Sequence, residues 1–231
     1  MGNAAYDGLA DAYRAFQAEH PAYYKLAADA LRRLLGRGDG RCLDVGCGGG
    51  HFFGVGSELG WTLVGVDTSE DQLRVARHRH PQIEVVRADA AALPFGDASF
   101  DAAFSMFTHT DIEDFGATVR ETLRVLEPGA PFVYVGNHPC FVGATQEHVE
   151  NGLPLLHPGY RRAGRRNAAD SPGTVADGWR ARLGSFVHLP LGPFLEAFSG
   201  FVLEHAEELD DGWEYPKTVA LALRKPYATR R

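Results

Sequence analysis

The chain has 231 residues, 45% of them hydrophobic and 23% charged. That suffices for one domain with a full core and excludes disorder of the whole chain. A formal net charge of −7, from 23 Lys and Arg against 30 Asp and Glu, reads against general binding of nucleic acid, whose backbone such a surface repels. Cys42, Cys47 and Cys140 follow no disulfide or zinc spacing.

"AYDGLADAYRAFQAEHPAYYKLAADALRRLLGRGDG" predicts helix with a break near Pro21, its apolar stripe running through Leu26, Ala27, Ala30, Leu31, Leu34 and Leu35. The opening residues carry neither a basic segment nor a continuous apolar one, so no secretion signal is expected there. No apolar run approaches the ~20 residues that span a bilayer. A cytoplasmic protein without a membrane part is expected.

Arg41–Val45 reads as a buried strand, "HFFGVGSELG" as a helix interrupted by Gly54 and Gly56, "TLVGVD" as a second strand and "SEDQLRVARHRH" as a helix stopped by Pro81. "IEVVRAD" is a third strand, followed by a loop turning at Gly96–Asp97. "FDAAFSMF" is a fourth strand, "DIEDFGATVRETLRVL" a helix and "PFVYVG" a fifth strand.

This alternation predicts an α/β fold with an open, mostly parallel sheet and helices on both faces. Residues 137–190 lose the pattern and are expected as an inserted cap, with short helices around Thr145–Glu150 and Val175–Leu183. "LGPFLEAFSG" restores a helix. "FVLEHAEEL" and "KTVALALRK" predict a terminal antiparallel pair, completing seven strands with an antiparallel last one. The whole is expected as a single domain, residues 1–231, with 1–36 as an N-terminal helical lid and 137–190 as a substrate cap.

The first strand runs straight into Gly46, Gly48, Gly49 and Gly50. Such a turn lets backbone N–H groups approach a ligand, and the next helix points its positive end there. Asp67 closes the second strand, where a carboxylate can accept both ribose hydroxyls; Asp89 closes the third, where it can accept from an exocyclic amine. No Lys-Ser/Thr follows the glycines, so this is no Walker loop, and His51 stands where a dinucleotide fingerprint has Gly or Ala.

"LDVGCGGG", "VGVDTS", "VVRADAAALPFGDASFDAAFS" and "ETLRVLEPGAPFVYVG" together resemble the ordered motifs of class I S-adenosylmethionine-dependent methyltransferases of the small-molecule type, over roughly Tyr6 to Pro139. The resemblance implies S-adenosyl-L-methionine as cofactor and S-adenosyl-L-homocysteine as product. Asp44, Gly46, Cys47, Gly48 and Gly50 would hold the methionine end, Asp67 with Thr68 and Gln72 the ribose side, and Asp89 and Ala90 the adenine. Ser105, Met106 and Phe107 would pass the reactive centre. "PGA" replaces the family's usual "PGG" at Ala130, and Gly54 and Gly56 interrupt a helix that is normally continuous.

Two readings of His109 stay open: a residue at a helix start, or a base facing the acceptor. His138 is the second candidate base or a pocket wall, with a satisfied loop histidine as the plain alternative; His188 is read as structural. His109, His138 and His188 lack zinc-site spacing, so no metal is expected. Arg161, Arg162, Arg165 and Arg166 read as a solvated face, or as recognition of an acidic acceptor. Tyr6 and Tyr13 are candidates to exclude water, and Trp179 and Phe186 to wall an apolar pocket.

The expected activity is methyl transfer to an oxygen or nitrogen of a small molecule in specialised metabolism, by a monomer or homodimer. The rivals are an RNA methyltransferase, a nicotinamide-dependent oxidoreductase and a non-catalytic cofactor-binding protein.

Overall fold

The computed structural model describes residues 4–142, 146–148, 154–156, 158–170, 179–210, 212 and 214–227; of 146–148, 154–156, 179 and 180 it describes the backbone alone. Two helices open the chain, α1 (Ala10–Glu19) and α2 (Pro21–Leu35). They break where the sequence placed the break, because Pro21 has no N–H to continue α1 yet suits the first turn of α2. The parallel core follows as β1 (Arg41–Val45), α3 (Phe53–Glu58), β2 (Thr62–Asp67), α4 (Glu70–Arg79), β3 (Glu84–Arg87), β4 (Ala102–Met106), α5 (Phe115–Val125) and β5 (Pro131–Asn137).

Seven strands form one sheet. With β10 (Val202–Glu208) and β11 (Thr218–Arg224), its order is β10-β11-β5-β4-β1-β2-β3. The final strand β11 runs antiparallel to both neighbours and lies inside the sheet, one place from the edge.

Side chains alternate between two apolar layers with the period of a strand. Leu43 and Val45 of β1, Phe132 and Tyr134 of β5 and Leu221 of β11 pack with Phe115 and Val119 of α5 and with Phe194, which belongs to the helix restored after the irregular segment, α7 (Leu191–Glu196). Cys42, Val133, Val135 and Ala220 pack on the opposite face with Leu31 of α2, Phe53 of α3 and Leu73 of α4. Helices thus cover both faces, and burying one such side chain contributes roughly 1.5–3 kcal/mol. Gly56, which interrupts α3, has its reason here: a Cβ on it would lie 2.7 Å from Leu63 Cδ2 on β2.

Residues 137–190 differ from expectation. Gln146–His148, expected as helix, is β6 and pairs antiparallel with β7 (Pro154–Leu156). So short a helix forms one turn or so and has little to offset its nucleation cost; the pairing offers hydrogen bonds instead. The expected helix ends, Thr145 and Glu150, lie outside the described residues. A second ribbon joins β8 (Gly164–Asn167) to β9 (Ser185–His188). The other expected helix is found as α6 (Trp179–Leu183); residues 175–178 lie outside the described residues. No described helix is long and apolar enough to cross a membrane.

Candidate active site

The C-terminal ends of four parallel strands open into one cavity of about 360 Å³, the edge where open α/β sheets bind ligands. β1 delivers Gly46 and Gly48, β2 delivers Asp67 and Thr68, the loop after β3 delivers Ala88 to Ala91, and β4 delivers Met106, Phe107 and Thr108. Tyr6 and Tyr13 from the N-terminal segment close one side, and Asp111, Glu113 and Asp114 another.

The glycine turn is as tight as its composition implies. Gly46, Gly48 and Gly50 hold φ of +75°, +50° and +71°, which L side chains resist. At Gly46 a Cβ would also lie 2.5 Å from Thr108 Cγ2. Asp67 fastens the turn: its Oδ2 accepts from the Gly48 N–H and its Oδ1 from the Ser69 N–H, each at 2.9 Å. Burial pushes the Asp67 carboxyl up, and those backbone donors pull it back. Ser69 caps α4, its Oγ accepting from the Gln72 N–H at 3.3 Å and donating to Asp7 Oδ1 at 2.7 Å. The Asp7 hydrogen bond, the Gly8 N–H to Asp71 (2.5 Å) and the Tyr6 hydroxyl to Asp111 (3.3 Å) strap the first described residues across the cavity.

Four buried side-chain polar atoms have no partner among the described residues, on Asp44, Gln72, Arg166 and Thr218. Gln72 lines the cavity at 3% exposure with Nε2 unsatisfied, and Asp44, at 1%, leaves Oδ1 unsatisfied. Burial, then the nearby Asp67 charge, pushes the Asp44 carboxyl well up. Unsatisfied buried groups are costly and rare, and of these four residues only Gln72 belongs to the cavity lining.

Of the residues singled out in the sequence, Gly46, Gly48, Asp67, Thr68, Gln72, Asp89 and Ala90 come together in the cavity. Asp44, Cys47, Gly50 and Ser105 are not among its lining. Cys47 packs against Gly65, where a Cβ would lie 2.8 Å from its Sγ. The Ser105 hydroxyl donates to the Val45 carbonyl at 2.9 Å and accepts from the Thr108 hydroxyl at 2.7 Å, tying β4 to β1.

The histidines lie elsewhere. The His109 ring is 1% exposed, its Nδ1 2.5 Å from the Tyr134 hydroxyl, and is packed edge-on to Phe115 and Phe194. It does not face the cavity as a base would; the helix-start reading also misses, since α5 begins after Asp114, whose Oδ1 accepts from the Ala117 N–H. His138 accepts from the Cys140 N–H at Nδ1 (3.1 Å), so its proton sits on Nε2 and is donated to Glu208 (2.8 Å). Burial holds its pKa down against the pull of Glu208. His188 donates from Nε2 to the Tyr160 carbonyl at 2.7 Å.

The arginine run is also outside the cavity. Arg165 bridges Ser185 and, at 3.3 Å, Glu113 on the rim, whereas Arg166 is spent on the Gly159 and Arg162 carbonyls. Phe186 is buried against Ala168; the Trp179 side chain lies outside the described residues.

The sequence reading missed the acidic wall of Asp111, Glu113 and Asp114. It also missed the backbone of Phe107, whose φ of +60° is rare outside glycine and costs about 1–3 kcal/mol. That conformation turns the ring onto Tyr23, 5.1 Å away centroid to centroid. The net result is a cavity lined by five carboxylates, Asp67, Asp89, Asp111, Glu113 and Asp114, and by no Lys, Arg or His among the described residues.

Comparison with known proteins bears on this arrangement. Residues 43–134 match the family model described as a methyltransferase domain. The chain is 35% identical over 118 residues to a demethylmenaquinone methyltransferase of Renibacterium salmoninarum, covering 51% of this chain and 48% of that one. It is also 35% identical over 119 residues to a fatty-acid O-methyltransferase of Mycolicibacterium smegmatis, covering 50% and 43%. The chain therefore aligns with about half the length, or less, of these curated relatives. The crystal structure of an S-adenosylmethionine-dependent methyltransferase from Mesorhizobium loti superposes with a TM-score of 0.69 at 27% identity, covering 90% of this chain and 99% of that one. The matched domain spans β1 to β5, and with the sheet order set out above the chain is similar in fold to S-adenosylmethionine-dependent methyltransferases.

Proposed function

We propose that the protein transfers the methyl group of S-adenosylmethionine to an oxygen or nitrogen of a small-molecule acceptor. The observation that carries this is the cavity's lining: five carboxylates, no basic side chain among the described residues, and a buried Gln72 amide without a partner. Such a site favours a cation with polar arms and opposes a pyrophosphate, which counts against the nicotinamide alternative. The net charge of −7 counts against RNA.

When bound, the cofactor supplies an electrophilic methyl on a sulfonium. The residues fit it. The turn at Gly46 and Gly48 leaves room for its amino-acid end, with Asp44 and Gly50 supporting that turn from behind. Asp67 offers acceptor lone pairs to a ribose, and Gln72 and Thr68 lie beside it. Asp89 and the Ala90 backbone suit an adenine edge. The strap of Tyr6 and Tyr13 limits access of water.

Substrate alignment falls to the walls rather than to an imidazole. No histidine among the described residues lines the cavity, so the groups proposed to take an acceptor's proton are the carboxylates of Asp111, Glu113 and Asp114. Residues 1–36 serve as lid and 137–190 as cap, the latter supported by two ties to the rim: the Val187 N–H to the Thr110 carbonyl at 2.7 Å, and Arg165 to Glu113.

Titration calorimetry with S-adenosylhomocysteine tests the reading. Wild type binds at one site, and Asp67→Ala, losing charge-assisted hydrogen bonds, binds about tenfold more weakly or worse. Unchanged affinity in that variant defeats the assignment.

A further inference from the structure

A second concavity, of about 680 Å³, lies between α1, α2, α3 and the end of α4, and its charge is opposite to that of the first. Arg14, Lys25, Arg32 and Arg79 line it with His51, against a single lining carboxylate among the described residues, Glu58. We propose that this groove is a binding site for a phosphate-bearing anion, separate from the cofactor cavity.

The charges divide into two groups. Lys25 and Arg32 are compensated by Asp29 and Glu58. Arg14 and Arg79 are not balanced in that way. Among the described residues Arg14 pairs with Asp11 alone, at 3.4 Å in an exposed pair, which is worth little in water. Arg79 donates to the Gly49 carbonyl at 3.3 Å and meets no carboxylate among the described residues. The two guanidinium groups repel each other: burial and then the Arg14 charge hold the Arg79 pKa down, and burial and then Arg79 do the same to His51 and His80. Like charges gathered in a concave site leave a cost that an anion removes. Two guanidinium forks suit the tetrahedral oxygens of phosphate. The acidic whole chain favours a small ligand over an extended polyanion.

The groove also touches the cofactor site. The carbonyl that Arg79 holds belongs to the glycine turn whose other side faces the cavity. An anion drawing on Arg79 acts on that turn, so the two occupancies are linked, and the linkage is reciprocal.

The test is calorimetry of wild type, Arg14→Glu and Arg79→Gln with two probes, inorganic pyrophosphate and phenyl phosphate, with thermal unfolding run on each variant. The expected result is one site per chain in wild type, weakened about tenfold or more by either substitution. Stronger binding of pyrophosphate identifies a free inorganic anion as the natural type; stronger binding of phenyl phosphate identifies a phosphorylated organic molecule. An independent readout needs no folded variant: pyrophosphate added to wild type raises the NMR-titrated pKa of His51 and leaves that of His188 in place. The proposal is overturned if wild type binds neither probe at millimolar concentration, if both folded variants bind as wild type does, or if His51 does not move. Because these measurements use neither cofactor nor turnover, their failure leaves the methyl-transfer reading standing, and the reverse holds too.

Discussion

His109 shows how one residue's surroundings decide between chemistry and packing. A histidine just past the fourth strand is well placed in sequence to be a base, yet the chain turns its ring into the aromatic layer, against Tyr134, Phe115 and Phe194. The expected effect of His109→Ala is therefore on stability. Losing a buried ring and its hydrogen bond to the Tyr134 hydroxyl costs about 2–4 kcal/mol. Chemical denaturation reads this as a lower midpoint at unchanged slope, with cofactor affinity kept in the folded fraction. A full-stability variant with a lost pH-dependent limb of turnover would restore the base reading. Nothing in the sequence distinguishes the two, because the side of the β4 layer taken by residue 109 depends on the left-handed turn at Phe107, two residues earlier, and phenylalanine gives no warning of a positive φ.

At the scale of elements, α4 does more than cover the sheet. Its cap, Ser69, joins three parts: the Gln72 N–H inside the helix, the Asp67 carboxylate through the Ser69 N–H, and Asp7 of the N-terminal strap through its hydroxyl. Ser69→Ala keeps the backbone bond to Asp67 and removes the other two. It is expected to cost about 0.5–2 kcal/mol and to release the strap, seen as faster hydrogen exchange at Tyr6 to Leu9 with the core strands unchanged. Exchange at those residues equal to wild type would show that the strap is held by other contacts.

Which elements the sequence revealed follows the same logic. β1, β2, β4 and β5 were legible because they are buried on both faces and bounded by glycine, proline or aspartate. β6 to β9 were not, because strands such as "GRRN" carry no apolar period and owe their pairing to a neighbour twenty residues away. In the site, Asp67 and Asp89 were legible from strand ends. The carboxylates of Asp111, Glu113 and Asp114 were not, since a loop's direction is set by the tertiary fold rather than by its own residues.

For the whole molecule, the buried titratable groups divide into two sets with opposite dependence on pH. His51, His80, His138 and His188 all have pKa values below the ordinary 6.5, with burial as the first cause. As the pH falls past 6.5, the unfolded chain takes up protons there before the folded one, so stability is lost, by up to about 1.4 kcal/mol per pH unit for each imidazole. Asp44 and Asp67 lie above the ordinary 3.8. Between 3.8 and their folded values the native state holds the extra proton, so they oppose that loss on acidification. Asp44→Asn removes part of the opposition and the cost of burying an ionisable carboxyl. It is expected to raise the melting temperature at pH 7.5 and to steepen its fall on acidification. A variant whose melting temperature follows wild type at every pH would show that the Asp44 pKa is not raised in the folded state. Its cofactor affinity should fall, a trade of binding for stability usual where a site holds strained or unsatisfied groups.

Because β11 lies between β5 and β10, order of synthesis and order of assembly part company. The strands that build the cavity, β1 to β4, and β5 beside them all leave the ribosome before residue 138, so a nascent chain of that length already holds every described residue lining the cavity. Its β5 flank, however, stays bare until β11 arrives, some eighty residues later. β10 emerges first and has no described partner but β11, leaving the exposed Val202 and Leu203 on an unpaired ribbon meanwhile. Translation pauses in that interval would lengthen the exposure of both edges and fall hardest on yield rather than on catalysis.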